Sequence, residues 1–247
     1  MDGEAALFQR QAGTVIASAA MAAMLEQAER AGLAYLPGRR VTAVEPGSPV
    51  TVRTTGGAFL AEQVVLAAGP WLGGLLDGLG LHLPLAPAVA QVTFLDAPGL
   101  VDRPGFAEWP GAAEIGVYGH PVPGIGYKIA FDAGAEGWDP DVEAWAPETA
   151  EQERLLAWLA RRMPSVEPRV SLTQRHPWTM TPDADWILDR RGNIVIAGGC
   201  SGHAFKFGPA LGRLVADVVD GGMAPPLFRI DRDGLAGTAS ATAPIAR

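Results

Sequence analysis

The chain has 247 residues, 48% of them hydrophobic, and a formal net charge of −8, enough apolar content to bury one large core or two smaller ones. Its basic residues are scattered apart from pairs such as Arg39-Arg40, Arg161-Arg162 and Arg190-Arg191, so no phosphate-tracking surface forms, and nucleic acid and anionic membrane are set aside as partners. A single cysteine, Cys200, excludes an intrachain disulfide and any multi-cysteine metal site and suits a reducing cytoplasm.

Residues 14–25 are apolar but too few to span a bilayer, and Asp2 and Glu4 precede them where a signal peptide carries positive charge. Over residues 14–31, Ile16, Ala20, Ala23, Met24 and Ala31 share one helical face and Glu26, Glu29 and Arg30 the other, which predicts an amphipathic helix ended by Gly32. Extended runs follow at 34–36, 39–45, 50–54 and 63–68, with turn signals at Pro46-Gly47 and Gly56-Gly57. The unbroken apolar run at 64–68 predicts a strand covered on both faces, turning at Gly69-Pro70-Trp71 into a helix over 71–79.

Between residues 82 and 132 no helical period appears, and the runs 89–95, 114–118 and 126–131 predict an antiparallel sheet. Residues 147–163 form a helix between Pro147 and Pro164, placing Leu155, Leu156, Leu159 and Met163 on one face. Strands at 169–179, 186–188 and 193–197 precede a glycine-rich loop and a helix over 209–219. Beyond Asp231, small residues dominate and predict a disordered tail.

The richest stretch is residues 198–208, Gly-Gly-Cys-Ser-Gly-His-Ala-Phe-Lys-Phe-Gly. Glycines between a buried strand and a helix let backbone amides approach a ligand closely. Alone, such a turn also fits an ordinary tight turn with a surface lysine. Together with 64–71 and 124–132, the stretch 179–208 closely resembles the D-amino-acid-oxidase-like superfamily of FAD-dependent oxidoreductases, nearest to monomeric sarcosine oxidases and N-methyl amino acid oxidases.

The resemblance implies a mixed α/β (α+β) fold: an incomplete FAD-binding Rossmann-like domain from residues 1–80 and 179–230, and a substrate domain built on an antiparallel sheet over 81–178, with 231–247 as tail. By the same match, Val41, Ala68, Gly69 and Trp71 approach the dinucleotide. Gly199, Ser201, Gly202, His203, Ala204, Phe205 and Lys206 face the flavin. Lys128, in Gly126-Tyr127-Lys128-Ile129-Ala130-Phe131-Asp132, takes the place of the lysine at the flavin face where oxygen is reduced. Lys206 also helps hold a substrate carboxylate, while Tyr118, Asp132 and Trp178 line the substrate pocket. Residue by residue the bland alternatives stay open: an outward strand lysine, a helix-start lysine, a satisfied core histidine and plain aromatic packing.

Two departures from the family pattern matter. His176 stands where sarcosine oxidases carry the cysteine that links the flavin, so FAD is expected to be non-covalent. Asp132 replaces a pocket histidine and points away from sarcosine, towards a substrate with a cationic part. His82 and His120 have no ligand partners at metal spacing. No Gly-x-Gly-x-x-Gly turn occurs, so the segment that grips the FAD pyrophosphate is expected from a longer reading frame or a partner chain. The expected activity is oxidation of a secondary or N-methylated amino acid to an imine, with hydrogen peroxide formed from oxygen. The alternatives are a non-catalytic fragment binding a small acid or a partner, and a flavin dehydrogenase using another acceptor.

Overall fold

The computed structural model describes residues 4–109, 115–135, 137–142 and 146–236. Helix α1, Ala17–Arg30, follows the amphipathic period, yet none of its residues is buried. Strands β1 (Val41–Glu45), β2 (Val50–Thr54) and β3 (Gly57–Ala61) form an antiparallel meander. The third strand lies beyond the Gly56-Gly57 turn and escapes a pattern search because four of its five residues are exposed. Residues 34–36, expected to be extended, have no neighbouring strand to satisfy their backbone and are irregular.

Strand β4, Val64–Leu66, leads through the Gly69–Trp71 turn into helix α2, Leu72–Asp77. The sequence brings the chain back to it much later. Strand β10 (Ile187–Arg191) turns into β11 (Ile194–Gly198), and β11 pairs parallel with β4. Helix α5, Gly208–Val219, follows β11. The apolar run of β11 reflects two-sided burial: Leu66, Leu72, Leu76, Ile194 and Ile196 share one core, whereas Val195 packs with Leu188 and Val218 on the other side. Strand β4, expected to be covered on both faces, is covered on one, because among the described residues no helix packs over Val65, which is 41% exposed.

The second sheet has five strands in the order β6-β7-β8-β5-β9, all antiparallel. They are β5 (Ala86–Asp96), β6 (Phe106–Glu108), β7 (Val117–Val122), β8 (Gly126–Phe131) and β9 (Arg169–Met180). A single helical turn, α3 at Pro98–Val101, interrupts the expected run of extended chain, being too short to show a period. Helix α4, Thr149–Arg162, covers one sheet face: Leu155, Trp158 and Leu159 pack on Leu95, Val117, Tyr127 and Ile129. Gln91 fixes the approach by exchanging hydrogen bonds with the Glu148 backbone, 2.6 Å and 2.9 Å.

The tail expected from residue 231 does not begin there. Arg232 donates to both carboxylate oxygens of Asp183 at 2.6 Å and 2.9 Å, and Leu235 is buried in the core beneath β4 and β11. A contact across 49 residues outweighs a composition that reads as disorder. Residues 237–247 of that expected tail, and Glu114 at the start of the expected strand 114–118, lie outside the described residues.

Candidate functional site

The pleat decides which side chains meet. In the ladder, Tyr118 opposes Ala130, His120 opposes Lys128, and Lys128 opposes Phe94. Further along β5, Ala90 opposes His176 and Ala88 opposes Trp178. Directly opposed residues share a face, so Tyr118, His120, Lys128, His176 and Trp178 stand together on the face that α4 does not cover. The small residues Ala88, Ala90 and Ala130 form its floor. Sequence reasoning singled out Tyr118, Lys128 and Trp178 separately, and the register brings them onto one surface.

Burial pulls the Lys128 ammonium below the usual lysine range. Its Nζ lies 5.6 Å from the centre of the Tyr118 ring, a cation–π contact. Burial also pushes the Tyr118 hydroxyl up to about 12, with the Asp132 carboxylate adding to the shift. His120 and His176 are both held below the ordinary imidazole value, chiefly by burial and further by the Lys128 charge. The face thus carries one half-buried cation flanked by two imidazoles whose protonation it disfavours.

Asp132 continues the alternation of Lys128 and Ala130, and its amide donates to the Gly116 carbonyl at 2.8 Å. Its Oδ2 accepts a hydrogen bond from Trp109 Nε1 at 3.2 Å. Trp109 was not anticipated, because only the pairing of β6 with β7 carries it to Gly116 and Asp132.

The glycine turn after β11 is built by left-handed residues: Gly199 has φ +62°, Ser201 +46° and Gly202 +76°. Ser201 tolerates this conformation because it is fully tied. Its amide donates to the Thr179 carbonyl at 2.8 Å, and its buried hydroxyl bonds to Thr181 and Gly199. His203 Nε2 lies 2.8 Å from the Ala184 carbonyl, and its ring rests on Trp186. The Ser201 side chain is therefore turned into the protein, which leaves its backbone for a ligand, while the half-buried His203 ring is held by Ala184 and Trp186. Phe205 and Lys206 sit exposed on the one-turn helix before α5, with Lys206 Nζ 5.3 Å from the Phe207 ring. Ala204 caps that turn.

Trp178 joins the two sheets at this point. A Cβ at Gly134 would sit 2.8 Å from its Cζ2, so that glycine makes room for the ring, while Gly202 lies at ordinary contact distance, 3.5 Å from the indole for an added Cβ. The Trp178 Nε1 is buried without a hydrogen-bond partner among the described residues.

A cavity of about 1050 Å³ opens beside the β4 turn. Val41, Ala68 and Trp71 line it, together with Arg40, Pro87 and Asp141. Gly69 takes φ +52° there, the left-handed value that lets β4 turn at once into α2. Asp141 accepts from Arg40 at 2.7 Å and from Trp71 Nε1 at 2.9 Å, and these two hydrogen bonds, Trp71 first, lower its carboxyl pKa. A bridge between residues 40 and 141 leaves no trace in local sequence. Among the described residues no group of histidine, cysteine or carboxylate side chains is arranged to hold a metal ion, and no helix is long and apolar enough to cross a membrane.

Comparison with known proteins agrees with this layout. Residues 2–218 match the family described as DAO, FAD dependent oxidoreductase. Human peroxisomal sarcosine oxidase is 30% identical over 229 residues, covering 87% of this chain and 58% of that protein. Monomeric sarcosine oxidase from Bacillus sp. (strain NS-129) is 27% identical, over 95% of this chain and 64% of its own length. In structure, NikD, an unusual amino acid oxidase essential for nikkomycin biosynthesis, superimposes with a TM-score of 0.72 at 24% identity, over 90% of this chain and 60% of that one. The chain thus spans about three fifths of the length of these relatives.

Proposed function

Because the chain belongs to the DAO family of FAD dependent oxidoreductases, we propose that it forms the flavin- and substrate-facing part of an oxidase of secondary or N-methylated amino acids or related amines. The observation that carries this reading is the placement of the half-buried Lys128 beside Tyr118 on the open sheet face, joined through Trp178 to the glycine turn at Gly202.

The residues present fit a flavin dinucleotide. The cavity lined by Val41, Ala68 and Trp71 is at the upper end of the usual ligand-site range. It lies at the carboxyl end of parallel strand β4, where ligands of such sheets bind. Gly199 and Gly202, both left-handed, allow close approach by a planar group near Trp178. FAD bound there supplies the two-electron oxidising capacity that amino-acid side chains lack.

The chain's own residues orient and polarise. Lys128 holds a positive charge on the sheet face, where it favours reduction of oxygen. Lys206, exposed before α5, receives the substrate carboxylate. Tyr118 and Trp178 wall the pocket and exclude water from the reacting carbon. His176, without a thiol, cannot form the thioether of relatives, so FAD is held non-covalently. The phosphate-gripping Gly-x-Gly-x-x-Gly turn, not found in these 247 residues, comes from a further segment or a partner chain.

The test is oxygen uptake by the FAD-loaded protein given N-methyl-L-amino acids. The expected outcome is substrate-dependent uptake with one hydrogen peroxide per oxygen and complete release of FAD into acid supernatant. Turnover with a redox dye but not with oxygen would assign a dehydrogenase instead. A folded protein showing no flavin spectrum would leave a non-catalytic binding module.

A further inference from the structure

Acidic side chains around the five-stranded sheet are unevenly paired. Glu108 is held by Arg162, Glu148 by Arg175 and Asp141 by Arg40. Asp132 has no lysine, arginine or histidine within ion-pair distance among the described residues, and its polar side-chain contact is the neutral Trp109 Nε1. Sequence explains why no cation could reach it locally: between Arg103 and Arg154 the chain contains a single lysine, Lys128, and no arginine. Lys128 itself is four residues away along an extended strand, about 13 Å at roughly 3.3 Å per residue, and leans over Tyr118 instead.

The setting of Asp132 is that of a cation receptor. The half-buried carboxylate touches the indole edge of Trp109, which is 61% exposed. Tyr118 stands opposite Ala130, one pleat away on the same face, and packs over that small buried residue, so its ring lies along the strip between Lys128 and Asp132. Carboxylate and aromatic rings together favour alkylammonium and guanidinium groups, by Coulomb attraction and by the ring quadrupoles. Ten acidic side chains against one lysine between residues 104 and 153 give this side of the molecule a field that draws cations in.

We propose that Asp132, with Trp109 and Tyr118, forms a subsite for a second, non-reacting cationic group of the substrate, so that the preferred substrates are dibasic N-methyl amino acids. This rests on the amino acid oxidase reading above and narrows it to a class.

The experiment compares two probes differing in one charge, Nα-methyl-L-lysine and Nα-methyl-L-norleucine, by calorimetric titration of the full chain with FAD present. The wild type is expected to bind the lysine derivative at least tenfold more tightly. Asp132→Asn should bring that ratio close to one with both probes still bound, which shows that the variant is folded, and Asp132→Glu should retain discrimination. Equal binding of both probes by the wild type, or an unchanged ratio in Asp132→Asn, overturns the cationic subsite while leaving the oxidase reading intact. Failure of both probes to bind overturns both.

Discussion

The five-stranded sheet and the three-stranded β10-β11-β4 sheet differ in how completely their surfaces are used. In the five-stranded sheet one face is sealed by α4 through Leu155, Trp158 and Leu159, and the other carries Lys128, Tyr118 and Trp178. Around the three-stranded sheet, α1 buries no residue, β4 leaves Val65 41% exposed and the adjoining Trp71 is 40% exposed. The α4 side of the five-stranded sheet and the core shared by β4, α2 and β11 are closed, whereas α1 and the exposed side of β4 offer surface rather than core. A rigid scaffold beneath Lys128 suits a group that must hold its charge in place, and the loosely packed α1 and exposed side of β4 suit contacts that form on ligand binding.

That contrast can be broken by substitution. Arg232→Ala should have the largest effect, about 3–5 kcal/mol, because it strands the buried Asp183 carboxylate. Burial opposes ionisation of Asp183, yet hydrogen bonds from Arg232 and the Asp185 amide outweigh it and lower its pKa. Urea denaturation measures the loss, and an unchanged midpoint would return residues 231–236 to the status of a tail. Leu159→Ala, in the α4 seal, should cost roughly 2–5 kcal/mol. Met24→Ala on α1, 38% exposed, should stay within about 0.5 kcal/mol. Equal losses at Leu159 and Met24 would erase the contrast.

A smaller, graded effect is expected with pH. Burial and the Lys128 charge depress the His120 and His176 pKa values below the ordinary 6.5. The unfolded chain then takes up protons that the fold refuses, so their contribution is intact above about pH 6.5 and is lost as pH falls through the depressed folded values. Urea midpoints between pH 7 and pH 5 should fall for the wild type and flatten in a His120→Asn, His176→Asn double variant. Steeper loss in that variant would contradict the assignment.

Much of this was legible in the sequence where the signal is local. Strands β2 and β8 fall where their apolar pattern puts them, and the unbroken run around Val64 signals a strand, but not one covered on both faces, since Val65 is 41% exposed. The ordered motifs around Trp71, Lys128 and Gly202 identify the family. What local pattern cannot carry is pairing across the chain. The Asp141 bridge from Arg40 to Trp71, the Arg232 clamp on Asp183 and the contact of Trp109 with Asp132 all join distant segments. Ser201 and His203 show the converse. Their motif marks a ligand-facing turn, but whether a side chain points outward depends on partners such as Thr181 and Ala184 supplied from another loop.

The central claim is that the face bearing Lys128 is where electrons pass from flavin to oxygen, and stopped-flow reoxidation tests it most directly. FAD-loaded wild type and Lys128→Met would be reduced with substrate in the absence of oxygen and then mixed with aerated buffer, following flavin absorbance. Loss of one fixed charge at a reacting centre is typically worth about 10²–10³ in rate. The prediction is reoxidation slowed by that factor in Lys128→Met with the rate of reduction by substrate little changed. Reoxidation at the wild-type rate would contradict the account.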